Sequence, residues 1–341
     1  MMKKIITAVI SILLLSLLLC GAAAAAEWTP VSVTDTNGDV VIIPEYPDKI
    51  ISLAPACTEI IYAVGAGDRL VGDTTYCNYP EEAKSVEKIG EFSTINRERI
   101  ITLSEGNSVI FANPNNGRDA IDYLKKQGCT VLVINPDSID KIYESISIIG
   151  EATGCKDKAA SVIAEMKAGI NAVLEKVSAA SSKPTVMHAL STDPFYVSGK
   201  DTFQNDLITL AGGKNAFEDI NGWKTVTLEK LLVVNPDIIL TDPEEDMGTP
   251  GFNSLRETFL TEPRLSTLSA AKSGKVYVMD ADIFDRGGPR TVEALESLAQ
   301  ILHPEIFGEV EETSAASTPG FAAAGVLAGV LGAVFLMRKR E

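Results

Sequence analysis

The sequence contains few of the side chains on which many enzymes and metal-binding modules depend. Its 341 residues include only 2 histidines and 5 cysteines. No CxxC pair or Cys/His cluster is present, which argues against a structural zinc site. No serine or cysteine stands in a recognisable nucleophile motif. A P-loop and a GxGxxG motif are both absent, so the sequence gives no support to nucleotide binding and disfavours an enzyme.

The two histidines stand in positions that favour structural roles. His188 lies within a predicted strand, and His303 precedes a proline that ends a predicted helix. A histidine inside a buried strand is more often a hydrogen-bonded core residue than a metal or haem ligand. We therefore expect His188 to belong to the core.

Basic residues are also scarce relative to acidic ones. Lys and Arg total 30 against 46 Asp and Glu, which gives a net charge of −16. This balance argues against nucleic acid or anionic lipid as a partner. An acidic surface is suited instead to a basic face on a membrane protein.

The N-terminus predicts export. Residues 1–26 combine a basic start, an apolar run over Ile5–Leu19 and small residues before Glu27, which is the layout of a secretory signal peptide. Cys20 would permit a lipoprotein, but Leu19 is large where such a signal requires a small residue.

The C-terminus predicts attachment to the membrane. An acidic, small-residue stalk over 308–319 precedes the segment 320–341, in which 17 apolar or small residues from Phe321 are followed by Arg338–Arg340. That length is the lower limit for a membrane-spanning helix, and the basic cluster would face the cytoplasm. The tripartite layout with Pro-Gly-Phe resembles an archaeal sorting signal, which implies cleavage and lipidation. A retained single-span anchor is the alternative.

The region between these ends contains an internal repeat. Phe92–Ile100 recurs as Trp223–Leu231, with both the aromatic residues and the glutamates Glu98 and Glu229 131 positions apart (223 − 92 and 229 − 98). A period this long indicates two similar lobes rather than a solenoid, and clefts between domains are preferred ligand sites. Chance similarity of two amphipathic stretches is the alternative explanation.

Both lobes are predicted to be α/β with central, mostly parallel sheets, because short Val- and Ile-rich runs alternate with helical patterns. The N-terminal lobe covers 27–153 and the C-terminal lobe covers 182–307. The first lobe has predicted strands at Val40–Ile43, Ile50–Leu53, Leu70–Gly72, Val109–Phe111 and Val131–Ile134, and helices at Thr58–Val64, with Thr58 as N-cap, and Arg118–Gln127. The second has strands at Thr185–Leu190, Phe195–Val197, Ile238–Leu240 and Val276–Val278, and helices at Phe203–Leu210, Leu228–Val233 and Val292–Leu302.

Residues 154–181 are predicted to form one connecting helix. Lys156–Ala180 contains a spaced apolar stripe, no proline and a single glycine, Gly169. About 25 residues at 1.5 Å each give a rod of roughly 37 Å. A flexible linker would instead be rich in Gly, Ser and Pro, so we expect a rigid connection.

Four segments resemble the substrate-binding proteins of ABC importers whose lobes are joined by one rigid helix. These segments are Ile51–Glu59, Val71–Pro80, Phe203–Gly213 and Arg286–Arg290. The resemblance implies a monomeric receptor that takes up cobalamin, ferric siderophores or haem and delivers it to a permease dimer powered by ATPase subunits. Tyr76–Pro80 and Trp223 are most similar to vitamin B12-binding proteins, so a corrinoid ranks first. The metal would be part of the cargo, and no cofactor is expected.

A planar or cage-like metal complex would require flat apolar walls and a few polar anchors. The candidate ligand-binding residues are aromatic side chains expected in turns after strands, with one acidic and one basic anchor: Tyr76, Phe92, Tyr196, Trp223, Phe284, Asp282 and Arg286. Ordinary core packing is the alternative for each aromatic residue.

The paired glutamates require a different explanation. In the resembled family, one carboxylate from each lobe docks onto arginines of the permease, which implies that role for Glu98 and Glu229. Charge-assisted contacts to arginine are directional, and two of them suit a two-fold symmetric partner. A carboxylate that simply favours a helix N-terminus is the alternative.

The cysteines lead to two further expectations. Cys57 and Cys77 follow first-lobe strands, so we expect them to lie close together, with a disulfide as a hypothesis. Cys129 should be buried and inert. Two other classes of function remain as alternatives to a receptor: a corrinoid- or metal-chelate-processing enzyme, and a purely structural envelope protein.

Overall fold

The structure is a computed structural model that describes residues 28–243 and 254–308. Within these residues the chain divides into two compact units, 28–167 with 287–289, and 168–286 with 290–308. Each unit is α/β, which confirms the predicted fold class. The predicted signal peptide, stalk and C-terminal segment lie outside the described residues. None of the helices that the structure describes combines the length and hydrophobicity needed to cross a bilayer.

The first unit is built on a four-stranded sheet in which every neighbouring pair is parallel. The spatial order is β4-β3-β5-β6. These strands are β3 (Lys49–Ser52), β4 (Leu70–Gly72), β5 (Ser108–Ala112) and β6 (Val131–Val133). Their Ile and Val side chains are almost all buried, as expected for a parallel sheet covered on both faces. The alternation of strands and helices therefore predicted this sheet correctly.

One predicted strand of this unit lies elsewhere. Val40–Ile43 forms β2, which pairs only with β1 (Val31–Thr34) in an antiparallel hairpin outside the parallel sheet. The side chains of Val40 and Ile42 are exposed. The apolar run predicted a buried strand, but one face of the hairpin remains open to solvent.

The helices of the first unit follow the strands. They are α1 (Pro55–Ala63), α2 (Arg97–Leu103), α3 (Arg118–Lys126) and α4 (Ile139–Ala152). The prediction of Thr58 as an N-cap is wrong, because α1 begins three residues earlier at Pro55, a favoured first helical residue. Thr58 is buried inside the helix, where its hydroxyl group donates to Ser52 Oγ at 2.8 Å.

Helix α5 covers Lys156–Val177, which is most of the predicted connecting helix. Its 22 residues correspond to roughly 33 Å at 1.5 Å per residue. Ala159, Val162, Met166 and Ile170 are buried along one stripe of the helix. The spacing of these apolar side chains therefore identified the helix correctly.

The second unit has a mixed six-stranded sheet. Its spatial order is β10-β8-β7-β11-β12, with β9 alongside the start of β7. The strands are β7 (Thr185–Thr192), β8 (Phe195–Ser198), β9 (Lys214–Asn215), β10 (Trp223–Val226), β11 (Ile238–Thr241) and β12 (Val276–Val278). Strands β7, β11 and β12 are parallel, whereas β8 is antiparallel to both β7 and β10. The antiparallel portion carries the aromatic residues of the candidate site.

Helices cover the sheet of the second unit. They are α6 (Phe203–Leu210), α7 (Leu228–Val234), α8 (Ser254–Thr261), α9 (Ser269–Lys272), α10 (Ala281–Phe284), α11 (Thr291–Leu302) and α12 (Pro304–Phe307). The three helices predicted from sequence are present as α6, α7 and α11. A buried cluster that includes Met187, Phe217, Ile239 and Phe259 forms the core between sheet and helices.

Candidate functional site

Two predicted ligand-binding residues form a stacked aromatic pair in the second unit. Tyr196 lies in β8 and Trp223 in the neighbouring antiparallel strand β10. Their ring centroids are 5.5 Å apart at an interplanar angle of 21°. Tyr196 is 37% exposed. The pair therefore offers a flat apolar surface. Tyr196 lies in the strand predicted over Phe195–Val197, whereas Trp223 lies in a strand rather than in the predicted turn.

His188 packs against the Trp223 ring of this pair. It lies in β7, is fully buried, and meets the Trp223 ring edge-to-face at a centroid distance of 5.5 Å. Phe284, at the end of α10, meets the His188 ring at 5.0 Å in a similar geometry. Phe284 is also fully buried, so it packs under the site, in agreement with the core-packing alternative.

Two carboxyl groups approach His188. Asp242 directly follows β11, and its Oδ1 lies 3.1 Å from His188 Nε2. Asp285 directly follows α10, and its Oδ1 accepts a hydrogen bond from Gln204 Nε2 at 2.7 Å. One ligand atom from each of His188, Asp242 and Asp285 lies within 4.8 Å of the others. Three side chains that can bind a proton or a metal ion therefore converge next to the aromatic pair.

The environment of Asp285 alters its acidity. The residue as a whole is exposed, but its carboxyl group is directed toward the buried side chains of Gln204 and Asp242. Burial raises the pKa of Asp285 to about 7, and the negative charge of Asp242 adds to the increase. The charge of His188 and the hydrogen bond from Gln204 act in the opposite direction. This carboxyl group therefore binds a proton more readily than a free aspartate does.

The predicted polar anchors contact each other. Arg286 Nη2 lies 2.5 Å from Asp282 Oδ1, and the Arg286 side chain is 14% exposed. Arg290 Nη2 donates to the Asp282 carbonyl oxygen at 3.0 Å. These contacts hold α10 and the following segment in place. The two anchors thus form an ion pair rather than two independent charges.

The remaining predicted ligand-binding residues belong to the first unit. Tyr76 is 41% exposed in the loop after β4, and Phe92 is partly buried in the loop before α2. Asn116 Nδ2 donates to the Phe92 carbonyl oxygen at 2.7 Å and to the Leu53 carbonyl oxygen at 2.8 Å. The loop that carries Phe92 is therefore fixed to the end of β3.

The cysteines of the described residues are free thiols, namely Cys57, Cys77, Cys129 and Cys155. Burial raises the pKa of the Cys57 thiol, and the nearby Cys77 raises it further. This interaction agrees with the expected proximity of the two, but no disulfide joins them. Burial also raises the pKa of Cys77, whose Sγ lies 3.1 Å from Thr58 Oγ1. Cys129 is only partly buried, contrary to expectation, because it precedes β6 rather than opening it.

The two repeated glutamates have the same local environment. Glu98 is the second residue of α2, and Glu229 is the second residue of α7; each helix has seven residues. The Asn96 side chain caps α2 and the Thr227 side chain caps α7, each by accepting a backbone N–H. Both glutamates are exposed. The Glu229 backbone N–H and the Thr227 hydroxyl group lower the pKa of Glu229, which keeps it ionised.

Sequence reasoning missed Asp242, Asp285 and Gln204. One signal was available for Asp242, because polar residues at the carboxyl ends of parallel strands commonly form sites in α/β proteins. Gln204 and Asp285 lie within or beside two segments that carry the family resemblance. Their convergence with His188 depends on the packing of β7, β11, α6 and α10, which the sequence did not define.

Comparisons with known proteins agree with this architecture. The family model described as periplasmic binding protein matches residues 50–283. An uncharacterized ABC transporter substrate-binding lipoprotein of Bacillus subtilis is 37% identical over 295 residues, which cover 84% of this chain and 90% of that protein.

Solved structures show the same similarity. The periplasmic vitamin B12-binding protein of Vibrio cholerae has a TM-score of 0.65 and 26% identity, covering 75% of this chain and 96% of that one. The periplasmic haem-binding protein of Roseiflexus has a TM-score of 0.67 and 25% identity, covering 75% and 98%. These relatives are binding proteins rather than enzymes, which confirms the expectation of a non-catalytic role. The chain therefore belongs to the periplasmic binding protein family and is an ABC transporter substrate-binding protein of the vitamin B12, haem and siderophore type.

Proposed function

We propose that this chain captures a corrinoid such as cobalamin outside the cytoplasm and delivers it to an ABC permease. The main supporting observation is the stacked pair of Tyr196 and Trp223, which presents a flat aromatic surface. Such a surface suits a large ring system, because rigid aromatic side chains supply contact area with little loss of conformational entropy. The similarity to vitamin B12-binding proteins supports the same cargo.

The proposed ligand-binding residues include Tyr76 and Phe92 of the first unit and Tyr196 and Trp223 of the second. The ion pair of Asp282 and Arg286 provides polar groups that can exchange their mutual contact for contacts to cargo amides or carboxylates. Phe284 supports the aromatic surface through its packing against His188.

A ferric siderophore or haem is the second candidate within the same class. The similarity to a haem-binding protein from Roseiflexus supports this alternative, and an aromatic surface would also suit a porphyrin. A corrinoid ranks above haem because Tyr76–Pro80 and Trp223 resemble vitamin B12-binding proteins.

The proposed receptor is exported, tethered and monomeric. Its N-terminal segment has the layout of a signal peptide, and 320–341 would provide the tether at the outer face of the cytoplasmic membrane, either as a retained span or after processing as an archaeal-type sorting signal. The Bacillus subtilis relative is described as a lipoprotein, which supports attachment to a membrane. The permease dimer and its ATPase subunits would be the protein partners, with Glu98 and Glu229 as docking residues.

Ligand-dependent stabilisation provides the test. The full-length chain, purified in detergent, would be heated with cobalamin, cobinamide, haem or a ferric siderophore. A ligand at 100 times its dissociation constant should stabilise the fold by about 2.7 kcal/mol. A larger shift with cobalamin than with haem supports the proposal, and the reverse order favours the second candidate. The absence of a shift with all four ligands would mean that the cargo is none of these compounds.

A further inference from the structure

Binding of a cargo to the aromatic pair does not by itself require the cluster of His188, Asp242 and Asp285. The three side chains come from the middle of β7, the end of β11 and the end of α10, all within the second unit. The three groups are 43 or more positions apart along the chain (285 − 242 = 43; 242 − 188 = 54). The fold thus brings together one imidazole and two carboxylates that no local sequence motif would place side by side.

The distances within this cluster are close to those of a metal site. His188 Nε2 and Asp242 Oδ1 are 3.1 Å apart, and all three ligand atoms lie within 4.8 Å of one another. Ligands about 2.1 Å from a tetrahedral metal ion are separated by roughly 3.4 Å. Binding therefore requires only a small approach of the Asp285 carboxylate. We propose that His188, Asp242 and Asp285 form a binding site for a divalent first-row transition-metal ion, separate from the metal-chelate cargo.

The electrostatics of the cluster favour a cation. Asp242 is 8% exposed, and a second carboxylate beside it meets a like charge in a poorly hydrated position, which is unfavourable for both. A divalent cation would neutralise the two carboxylates together. Each carboxylate would then be attracted to the cation, which offsets the repulsion between Asp242 and Asp285.

His188 is held in one orientation beside the carboxylates. The residue is fully buried, and edge-to-face contacts with Trp223 and Phe284 fix the position of its ring. Its Nε2 atom lies 3.1 Å from Asp242 Oδ1, so the nitrogen that would bind the ion already faces the cluster.

The donor atoms restrict the kind of ion. Imidazole nitrogen suits zinc, iron, nickel and copper, whereas carboxylates also suit manganese and magnesium. The cluster contains no thiolate, which argues against monovalent copper. Three protein ligands leave at least one coordination position for water, as in open zinc sites. Zinc and manganese are therefore the informative probes, and magnesium serves as a hard-ion control.

Direct binding measurements would test this site. The full-length chain in detergent, stripped of metal with a chelator, would be titrated calorimetrically with Zn²⁺, Mn²⁺ and Mg²⁺. We expect saturable binding of one Zn²⁺ or Mn²⁺ per chain, and much weaker binding of Mg²⁺. Replacement of zinc by Co²⁺ should give a visible absorption spectrum that reports nitrogen and oxygen ligands. Failure of both Zn²⁺ and Mn²⁺ to saturate at one ion per chain would overturn the proposal.

Three variants locate the site. His188→Gln and Asp285→Asn should each weaken binding by more than about 100-fold, beyond the 10–100-fold typical for loss of an outer-shell partner. His303→Gln is the matched control, because His303 is the second buried histidine and lies outside the cluster. It should bind metal like the parent chain. If His188→Gln does not fold, Asp285→Asn decides, because asparagine has nearly the same shape as aspartate and removes only the charge. Unchanged binding in Asp285→Asn would overturn the proposal.

Parallel titrations separate this site from the cargo. Cobalamin and haem would be tested on the metal-stripped chain and on the Asp285→Asn variant. One-to-one metal binding without any response to cobalamin or haem would refute the cargo assignment and leave the metal site intact. Cargo binding without metal binding would refute the metal site and leave the cargo assignment intact.

Discussion

The two units of this protein share a proposed docking element but differ in the strands beside it. In both, a seven-residue helix with a side-chain N-cap and an exposed glutamate at its second position precedes a central parallel strand, β5 or β11. The first sheet is parallel throughout, whereas β8 in the second is antiparallel to both of its neighbours. The elements that the units share therefore carry the proposed permease contact, whereas the proposed cargo residues lie in loops of the first unit and in antiparallel strands of the second.

This difference explains how each unit presents its aromatic residues. In the first unit, Tyr76 and Phe92 lie in loops that follow or connect parallel strands. In the second unit, the antiparallel pairing of β8 and β10 brings Tyr196 and Trp223 side by side, so their rings stack. Residues on adjacent antiparallel strands are close enough for aromatic pairs to interact. The second unit thus provides a stacked aromatic pair.

The largest expected effect concerns the element that the units share. Replacing Glu98 and Glu229 together with alanine should abolish uptake in cells that depend on this receptor, because both arginine contacts to the permease are lost. Each single variant should give a partial loss. Exposed carboxylates contribute little to folding, so thermal stability should hardly change.

Glu105→Ala provides a matched control for an exposed carboxylate in the first unit, outside the N-terminal turn of α2. It should transport normally. If the double variant transports at the parental rate, or if it binds cobalamin more weakly, the two glutamates do not have a purely docking role.

The next largest effect is expected from truncating one buried side chain in the core of each unit. Phe111 in the first unit and Phe217 in the second are both fully buried. Phe111→Ala and Phe217→Ala should each lower the free energy of unfolding by about 3–5 kcal/mol, through lost burial and the resulting cavity. Denaturant unfolding followed by circular dichroism measures this.

The number of transitions in the unfolding curve shows whether the two units unfold together. A single transition that shifts in both variants means that the units unfold together. Two transitions, of which each variant shifts only one, mean that they unfold independently. A loss of less than about 1 kcal/mol in either variant would contradict the assigned packing.

A smaller effect is expected from the aromatic residues that the two units present differently. Trp223→Ala should weaken cobalamin binding by about 1–3 kcal/mol, the range for loss of a large apolar contact, and Tyr76→Ala should act similarly. Calorimetric titration measures the dissociation constants. Tyr46→Ala is the control, because Tyr46 is an exposed aromatic residue that packs on Trp28. Unchanged affinity for every candidate cargo in the Trp223 and Tyr76 variants would place the binding surface elsewhere.

The smallest effect is a pH dependence in the first unit. Burial raises the pKa of Asp73 from 3.8 to about 6, although the ion pair with Lys88 at 2.7 Å acts in the opposite direction. The folded state therefore holds this proton more tightly than the unfolded state. Its contribution to stability is complete below pH 4 and is lost as the pH rises to about 6.

The substitution Asp73→Asn should flatten that part of the stability profile, because asparagine cannot titrate. Chemical unfolding between pH 4 and pH 7 measures the slope. Asp237 is the control, since hydrogen bonds from Thr185 lower its pKa, and Asp237→Asn should leave the slope between pH 5 and pH 7 unchanged. A profile that is the same in the parent and in Asp73→Asn would contradict the assignment.

The sequence predicted most of the regular elements because their signals are local. The Val- and Ile-rich runs identified the parallel strands, and the apolar stripe from Ala159 onward identified α5. The prediction was wrong where the structure of a segment depends on which strand it pairs with. Trp223 was expected in a turn, but antiparallel pairing with β8 places it in a strand. Val40–Ile43 was expected in the parallel sheet, but it pairs with β1 instead.

The candidate site was only partly predictable for a related reason. Aromatic character and family resemblance identified Tyr196 and Trp223. Asp242 and Asp285 have no sequence motif, because their proximity to His188 arises only when β7, β11 and α10 pack together. His188 was correctly expected in a buried strand, yet the sequence could not show that two carboxyl groups approach it.

The continuity of β10 and α7 has a consequence for communication between cargo and transporter. Trp223 opens β10, the strand ends at Val226, and Thr227 then caps the helix that carries Glu229. Only five residues separate the proposed cargo contact from the proposed docking contact. We expect a cargo that displaces the Trp223 backbone to displace the N-cap of this helix as well, because a short covalent path joins them. Under the proposed function, the position of Glu229 would then indicate to the permease whether the receptor is loaded.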